Sequence, residues 1–151
     1  MKVIFLDIDG VLNCQHYTNQ IKTPNGFLDL DCVANLNKLV ADTGAKIVLS
    51  STWRHDADVI DNLKVHVQAE FLGKTPSLNS RYSLRGNEIH AWIQQNEALL
   101  GKAYHEYHSF VILDDDSDML LWHADNYFRT DPWVGLTQGV AYRAARYLNR
   151  W

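Results

Sequence analysis

The chain has 151 residues, of which 46% are hydrophobic and 21% charged, the make-up of a folded domain that buries about two thirds of its unfolded surface. A formal net charge of −4 gives no general attraction for nucleic acid, and no apolar run approaches the roughly 20 residues of a membrane span. Cys14 and Cys32 are too few for a disulfide framework and fit free thiols; with no signal-peptide pattern at the N-terminus, the expected location is the cytoplasm.

No repeat, low-complexity tract or linker divides the chain, so one domain over 1–151 is expected. Val3 to Leu6 is a continuous apolar run and reads as a buried strand that ends in Asp7-Ile-Asp9-Gly10. Side chains two apart on an extended chain share a side. Asp7 and Asp9 are therefore expected to face one point beyond the strand, where two close carboxylates repel unless a cation or a proton separates them. The competing reading, an Asp-Gly surface turn, does not call for an Asp directly after a buried strand. Residues 13–29, with Thr23-Pro-Asn-Gly26 inside them, read as a loop or small hairpin over the end of that strand, carrying His16, Tyr17 and Lys22.

Asp31 to Thr43 reads as a helix with Val33, Leu36, Leu39 and Val40 on one face and Asp29 or Asp31 as its cap. Ala45 to Leu49 is a second apolar strand, stopping at Ser50-Ser-Thr-Trp-Arg54. Strand, helix, strand with polar residues at both strand ends is a parallel βαβ unit with chemistry at the carboxyl ends. Hydroxyls, the N–H groups after them and a guanidinium all suit phosphate. Ala57 to Val67 is weakly helical, Phe71 to Pro76 a short extended piece, and Asn79 to Arg85 a loop. A strong helix is expected from Gly86 to Leu100, with Gly101 at its end. Arg85 stands at its positive end, a placement that suits a residue reaching for an anion, though an exposed Arg tolerated there is an equal reading.

His105 and His108 have weak spacing for a metal and no convincing third ligand, so no metal role is assigned to them. Phe110 to Leu113 is a third apolar strand, ending in Asp114-Asp-Asp-Ser-Asp118. The first two aspartates suit a site, and Asp116 or Ser117 suits a cap for a helix over Met119 to His123. Phe128 to Thr130 reads as an edge strand, Asp131 to Gly135 as a turn, and Thr137 as the cap of a last helix through Leu148. Of the tryptophans, only Trp53 is placed near a site.

Three strand ends thus carry Asp7 and Asp9, Ser50 to Thr52, and Asp114 and Asp115, and a parallel sheet sets such ends along one edge. Hard carboxylate oxygens with open positions suit Mg2+ better than zinc. A carboxylate-held Mg2+, a carboxylate free to attack, hydroxyls and a cation describe phosphoryl transfer.

These motifs resemble those of a haloacid dehalogenase (HAD) superfamily phosphatase. Asp7-Ile-Asp9-Gly-Val-Leu is similar to the first motif, Ser50 to the second and Leu113-Asp114-Asp115 to the fourth; the third motif is one basic residue, for which Arg85 is chosen with Lys74 and Arg81 as rivals. Val48-Leu-Ser-Ser-Thr-Trp-Arg54, Arg85-Gly-Asn-Glu-Ile89 and Thr130-Asp-Pro with Gly135-Leu-Thr137 resemble a small HAD group associated with RNA-repair ("Swiss Army Knife") proteins. The resemblance implies an α/β, Rossmann-like three-layer sandwich around a mostly parallel sheet. The intervals between motifs leave no room for a full cap domain, and 13–29 would act as a flap. It implies Asp7 as nucleophile and Asp9 as acid and base, with Mg2+ held by Asp7, the Asp9 carbonyl, Asp115 and Asp114, the last as a second ligand or as the residue orienting the cation. Gly10, Ser50, Ser51 and Arg85 would bind phosphate, and Thr52, Trp53, Arg54 and Lys74 would contact substrate. An open site favours a bulky phosphoester such as a nucleic-acid end, with Arg54, Lys74, Arg81 and Arg85 as a local basic groove. Small sugar or nucleotide phosphates, a phosphoacceptor signalling module and a non-catalytic binding protein are the other readings.

Overall fold

Four consecutive apolar residues are fully buried only where both faces of a sheet are covered, and Val3–Leu6 forms such a strand, β1, with all four side chains at 0% exposure. The structure is a computed structural model that describes residues 1–16, 18–78, 83–100 and 110–150. Tyr17, Arg81, Gly101, His105 and His108 lie outside the described residues.

The polar stretch after β1 folds into a hairpin of β2 (Gln20–Thr23) and β3 (Gly26–Asp29), antiparallel with Lys22 opposite Phe27 and Ile21 opposite Leu28. Ile21 and Leu28 turn one face onto the core, which fixes the register because a one-residue slip would bury Lys22. Asp29 ends the hairpin and caps α1 (Leu30–Thr43): its Oδ1 accepts from the N–H groups of Asp31 (2.9 Å) and Cys32 (3.2 Å).

After β4 (Lys46–Leu49) the chain makes a 3-10 turn over Thr52–His55 and then α2 (Val59–Lys64). The helix is shorter than the expected 57–67, and Asp58 at its start makes no capping bond. β5 (Phe71–Lys74) is followed by α3 (Arg85–Gln95) and α4 (Glu97–Leu100). The expected single helix over 86–100 is broken at Asn96, whose side-chain Nδ2 donates to the Trp92 carbonyl at 2.8 Å and so competes for a backbone acceptor.

β6 (Phe110–Asp114) leads into a 3-10 turn over Leu121–Asn126 in place of an α-helix over 119–123. Neither Asp116 nor Ser117 caps it: Asp116 Oδ1 accepts from the adjacent Ser117 N–H, and Leu120 stands at the cap position. β7 (Tyr127–Arg129) and α5 (Gln138–Leu148), capped by Thr137, complete the chain.

The main sheet runs β5-β4-β1-β6-β7 with every pairing parallel. Alternate strand residues feed two cores. Ile4, Leu6, Ile47, Leu49, Val111 and Leu113 pack with α1, α2 and α5, while Val3, Phe5, Val48, Phe110 and Ile112 pack with α3 and Leu100 of α4. The result is an α/β, Rossmann-like fold of three layers. The chain leaves β1 toward β4 on one side and returns to β6 on the other. The switch point therefore lies between the carboxyl ends of β1 and β6, where open α/β sheets form their crevice. No helix of the described residues is long and apolar enough to cross a membrane.

His123 tests the second core. It is 1% exposed, packs edge-on against Phe110 at 5.4 Å and faces His90 at 5.7 Å. Burial, with a smaller contribution from His90, lowers its pKa from 6.5 to about 4. The folded state thus holds it neutral where the unfolded chain protonates it. This stability is fully present above pH 6.5 and is lost as pH falls through 6.5 toward 4. At about 1.4 kcal/mol per unit, the loss is roughly 3 kcal/mol. Denaturant titrations across that window should show the wild-type stability falling relative to His123→Leu by about that amount.

Candidate active site

The sheet ladder continues past the strands and brings the three polar ends together. Asp7 N–H donates to the Leu113 carbonyl at 3.0 Å, and Ser50 N–H to the Leu6 carbonyl at 2.9 Å. Asp7, Asp114 and Asp115 each offer a carboxylate oxygen, and these three atoms lie within 4.8 Å of one another. Burial pushes the Asp7 carboxyl up, Arg85 pulls it back, and the charges of Asp115 and Asp9 add to the upward push. Burial first, then the charge of Asp7, raises Asp114 to about 8. Asp115 is raised too, chiefly by burial. Asp114 Oδ1 accepts from the Asp116 N–H at 2.9 Å, whereas its buried Oδ2 has no hydrogen bond. Hard oxygens that burial and mutual repulsion make costly to ionise, one of them orphaned, are a donor set suited to a hard divalent cation.

Gly10 shapes this cluster by lacking a side chain. Its φ is 78°, and a Cβ there would collide with the Asp115 carboxylate. The Asp115 carbonyl accepts from Arg129 Nε at 3.0 Å, and Thr130 Oγ1 donates to the Gly10 carbonyl at 2.7 Å. Gly10, expected among the phosphate-binding residues, has its N–H bonded to Asn13 Oδ1 at 2.9 Å.

Asp9 stands apart from the triad, exposed at the turn that follows β1. Its carboxylate does not share a point with Asp7, as an extended chain through residue 9 would have required; Asp115 occupies the third place. Asp9 Oδ1 accepts from Asn13 Nδ2 at 2.8 Å, and Oδ2 from Trp53 Nε1 at 3.2 Å. Asn13 Nδ2 also donates to the Phe27 carbonyl at 3.1 Å. One carboxamide thus ties the Gly10 backbone, the Asp9 carboxylate and the hairpin together.

Arg85, first residue of α3, reaches across the switch point. Its Nη1 lies 3.3 Å from Asp7 Oδ1 and 3.6 Å from Asp114 Oδ2, and it donates to the Ser50 carbonyl. Of the two described basic residues weighed for this position, Arg85 and Lys74, Arg85 is the one the structure puts against Asp7. The awkward cation at a helix start is offset by Asp118, whose Oδ2 accepts the Arg85 N–H at 2.9 Å. Of the later aspartates, Asp118 satisfies the start of α3 and not of the turn that follows it, while Asp116 accepts from the Ser117 N–H. Ser50 is fully buried and its Oγ has no partner. Ser51 Oγ accepts from the Trp53 N–H at 3.2 Å as the cap of the 3-10 turn, so that hydroxyl is spent on structure.

The expected basic groove is not formed by the described residues. Arg54 is buried, with Nη2 2.8 Å from Glu88 Oε2 and Nη1 donating to the carbonyls of Ser50 (3.3 Å) and Ser51 (3.0 Å). Burial forces that pairing, since an unpaired guanidinium would be costly there. Lys74 Nζ donates to the carbonyls of Arg54 and Asp56 at 2.9 and 3.0 Å. Thr52 is exposed at the start of the turn. Neither Arg54 nor Lys74 offers a free cation to substrate.

Beside Asp9 opens a cleft of about 490 Å3, lined by Asn13, Gln20, Phe27, Trp53, Asp115 and Pro132 among others. A groove of similar size, about 480 Å3, lined by residues of α1 and α5 such as Lys38 and Tyr142, holds none of these groups. Cys14 touches the cleft, but burial and then Asp29 raise both its thiol and that of Cys32, the latter to about 12; neither is an activated nucleophile. Asn13, Glu88, Asp118 and Arg129 were not singled out from sequence. Only the Asn13 position, four residues after Asp9 in a turn, carried any local signal for a side-chain bond.

A family model described as the HAD domain in Swiss Army Knife RNA repair proteins matches residues 3–141. A search of curated proteins returns no match.

The acid cluster makes a prediction without reference to turnover. A raised carboxyl favours the cation-free fold while it is protonated. That contribution is fully present below the ordinary value of 3.8 and is lost as pH rises through about 8. Mg2+ should therefore raise the melting temperature more near pH 8 than near pH 5.5, where it must displace a proton. A hundredfold excess over Kd stabilises by about 2.7 kcal/mol. Asp114→Asn should raise the melting temperature in a chelator and shrink the Mg2+ shift, as thermal scans at both pH values will show.

Proposed function

The chain belongs to the HAD domain family of Swiss Army Knife RNA repair proteins, within a superfamily of hydrolases and phosphatases, and we propose that it is a Mg2+-dependent phosphomonoesterase that works through an aspartyl-phosphate on Asp7. The observation that carries this reading is the division of labour at the switch point. Asp7 sits within the acid cluster against Arg85, while the Asp9 carboxylate is held outside it by Asn13 and Trp53.

Asp7, Asp114 and Asp115 would hold the Mg2+, which when bound neutralises charge on the phosphoryl oxygens and on the cluster. An Asp7 oxygen attacks phosphorus, and the bond from phosphorus to the ester oxygen breaks. Asp9 gives a proton to that departing oxygen, then takes one from a water whose oxygen attacks the same phosphorus and frees Asp7. Arg85 and the buried Ser50 hydroxyl orient phosphoryl oxygens beside Asp7. Asn13 and Trp53 are positioning residues: they fix the Asp9 carboxylate and leave lone pairs on both oxygens for the proton it moves. The description of the family supports a phosphorylated nucleic-acid end or nucleotide as substrate. The free thiols Cys14 and Cys32 support the cytoplasm as the place of action.

Asp7→Asn should lower Mg2+-dependent phosphate release from an aryl phosphate by more than about 10³-fold; unchanged turnover would overturn the proposal. Asp9→Asn should still release one equivalent of the aryl alcohol in a burst and then stall, because a good leaving group needs no proton while hydrolysis of the intermediate does. Asn13→Ala should slow an alkyl phosphate about tenfold more than an aryl phosphate, whereas a general loss of fold would slow both alike.

A further inference from the structure

The cleft beside Asp9 takes whatever is attached to the ester oxygen, because Asp9 is the group that protonates that oxygen; this step rests on the phosphomonoesterase reading. Its lining is unusual in charge. Asp9 and Asp115 are the acidic side chains that line it, and among the described residues no Lys or Arg does. Arg85, Arg54 and Lys74 are each engaged with acids or carbonyls. Such a wall admits a neutral nucleoside beside the ester oxygen more readily than an anionic group.

The rest of the lining is aromatic and amide. Phe27 is 48% exposed on the hairpin and Trp53 faces the cleft beside Asp9. Neither ring packs on another aromatic ring among the described residues; Trp53 is half-buried against the core and Gly26, and Phe27 is the more open of the two. A single exposed Phe is unremarked on most surfaces, but here it shares one cleft with an indole and two uncommitted carboxamides. Those of Gln15 and Gln20 line it and make no bond among the described residues. A carboxamide offers two donors and an acceptor, the complement of a base edge, and aromatic faces stack bases of any sequence.

The wall is also pre-formed. Asn25 at the hairpin tip donates to Asp56 Oδ2 at 3.0 Å and accepts from Asn62 Nδ2 at 2.8 Å. Gly26 lies so close to the Trp53 ring that a Cβ there would clash. The hairpin is therefore anchored at its tip as well as at Asn13, which lowers the cost of ordering it on binding. At about 490 Å3 the cleft falls in the range of small-ligand sites, roughly 300–1,000 Å3.

We infer that this cleft is a nucleoside subsite, with the base against Phe27 and Trp53 and its edge read by Gln15 and Gln20, so that the substrate is a nucleoside carrying a phosphomonoester. A free mononucleotide and the phosphorylated end of a strand share that chemistry. The test compares, on wild-type protein with Mg2+, a nucleoside monophosphate, a short oligonucleotide with a terminal phosphate, the matching pentose phosphate without a base, and an aryl phosphate. At least one of the first two should exceed the pentose phosphate in kcat/KM by about tenfold, in line with the stacking of one base; which one does identifies the source. Phe27→Ala should cut that ratio about tenfold and Phe27→Tyr should restore it. In parallel, a nucleoside without phosphate should bind the protein in a chelator, followed by tryptophan fluorescence, and bind Phe27→Ala about tenfold more weakly. Turnover of the aryl phosphate with no base preference and no nucleoside binding overturns the subsite but leaves the phosphatase standing. Nucleoside binding without turnover of any phosphoester overturns the phosphatase reading instead.

Discussion

Like-charge crowding at the switch point is the constraint on which the rest of the site depends. Three carboxylates are brought together by the parallel ladder of β1 and β6, where sheet geometry leaves them little freedom to separate. One guanidinium answers them, and it comes from α3 on the far side of the sheet. Arg85 can reach them because Asp118, on the loop after β6, accepts the Arg85 N–H, while the Asp118 carbonyl accepts the Gly86 N–H at 3.0 Å. The same loop therefore supplies two acids and fixes the cation that opposes them. A single positive charge against three carboxylates leaves a deficit that a divalent cation fits, and burial makes that deficit matter.

The other cations near the site serve the backbone. Arg54 holds the carbonyls that follow β4 and is neutralised by Glu88 from α3, so the Ser50 turn is braced from inside the protein. Removing either partner of such a buried pair typically costs 3–5 kcal/mol, because it strands the other charge. Lys74 satisfies two further carbonyls in the same region. Arg54 and Lys74, expected to face a polyanion, instead shape a turn, and the described lining of the cleft is aromatic, amide and acidic.

The fold was legible because its signals are local and redundant. Apolar runs at 3–6, 47–49 and 110–113, each ended by polar residues, specify buried parallel strands with little ambiguity, and Asp29 and Thr137 occur where caps belong. Helix ends were less legible where a side chain competes with the backbone, as Asn96 does. In the site, Asp7, Asp114 and Asp115 could be read from strand ends, since the position of a residue at the end of a parallel strand is nearly fixed. The fate of Arg54 could not: a basic residue after a Ser-Ser-Thr run looks like an anion ligand until Glu88, 34 residues away, is known to be its neighbour. The contact between Asp118 and Arg85, 33 residues apart, was illegible for the same reason, whereas Asn13 bonds Asp9 and Gly10 within one turn and only its contact to the Phe27 carbonyl depends on packing.

The hairpin over the site has a kinetic consequence. Many enzymes that shield a phosphoester close a segment over it, and opening that segment limits turnover. Here the flap is pinned at the tip by Asn25 and at the base by Asn13 and Asp29, so the walls stand ready before substrate arrives. On the proposed phosphatase cycle, a hairpin anchored in this way would need no closing step before chemistry. Shape selection is then made once, on entry, by a rigid mouth, at the expense of the second check that a closing lid provides.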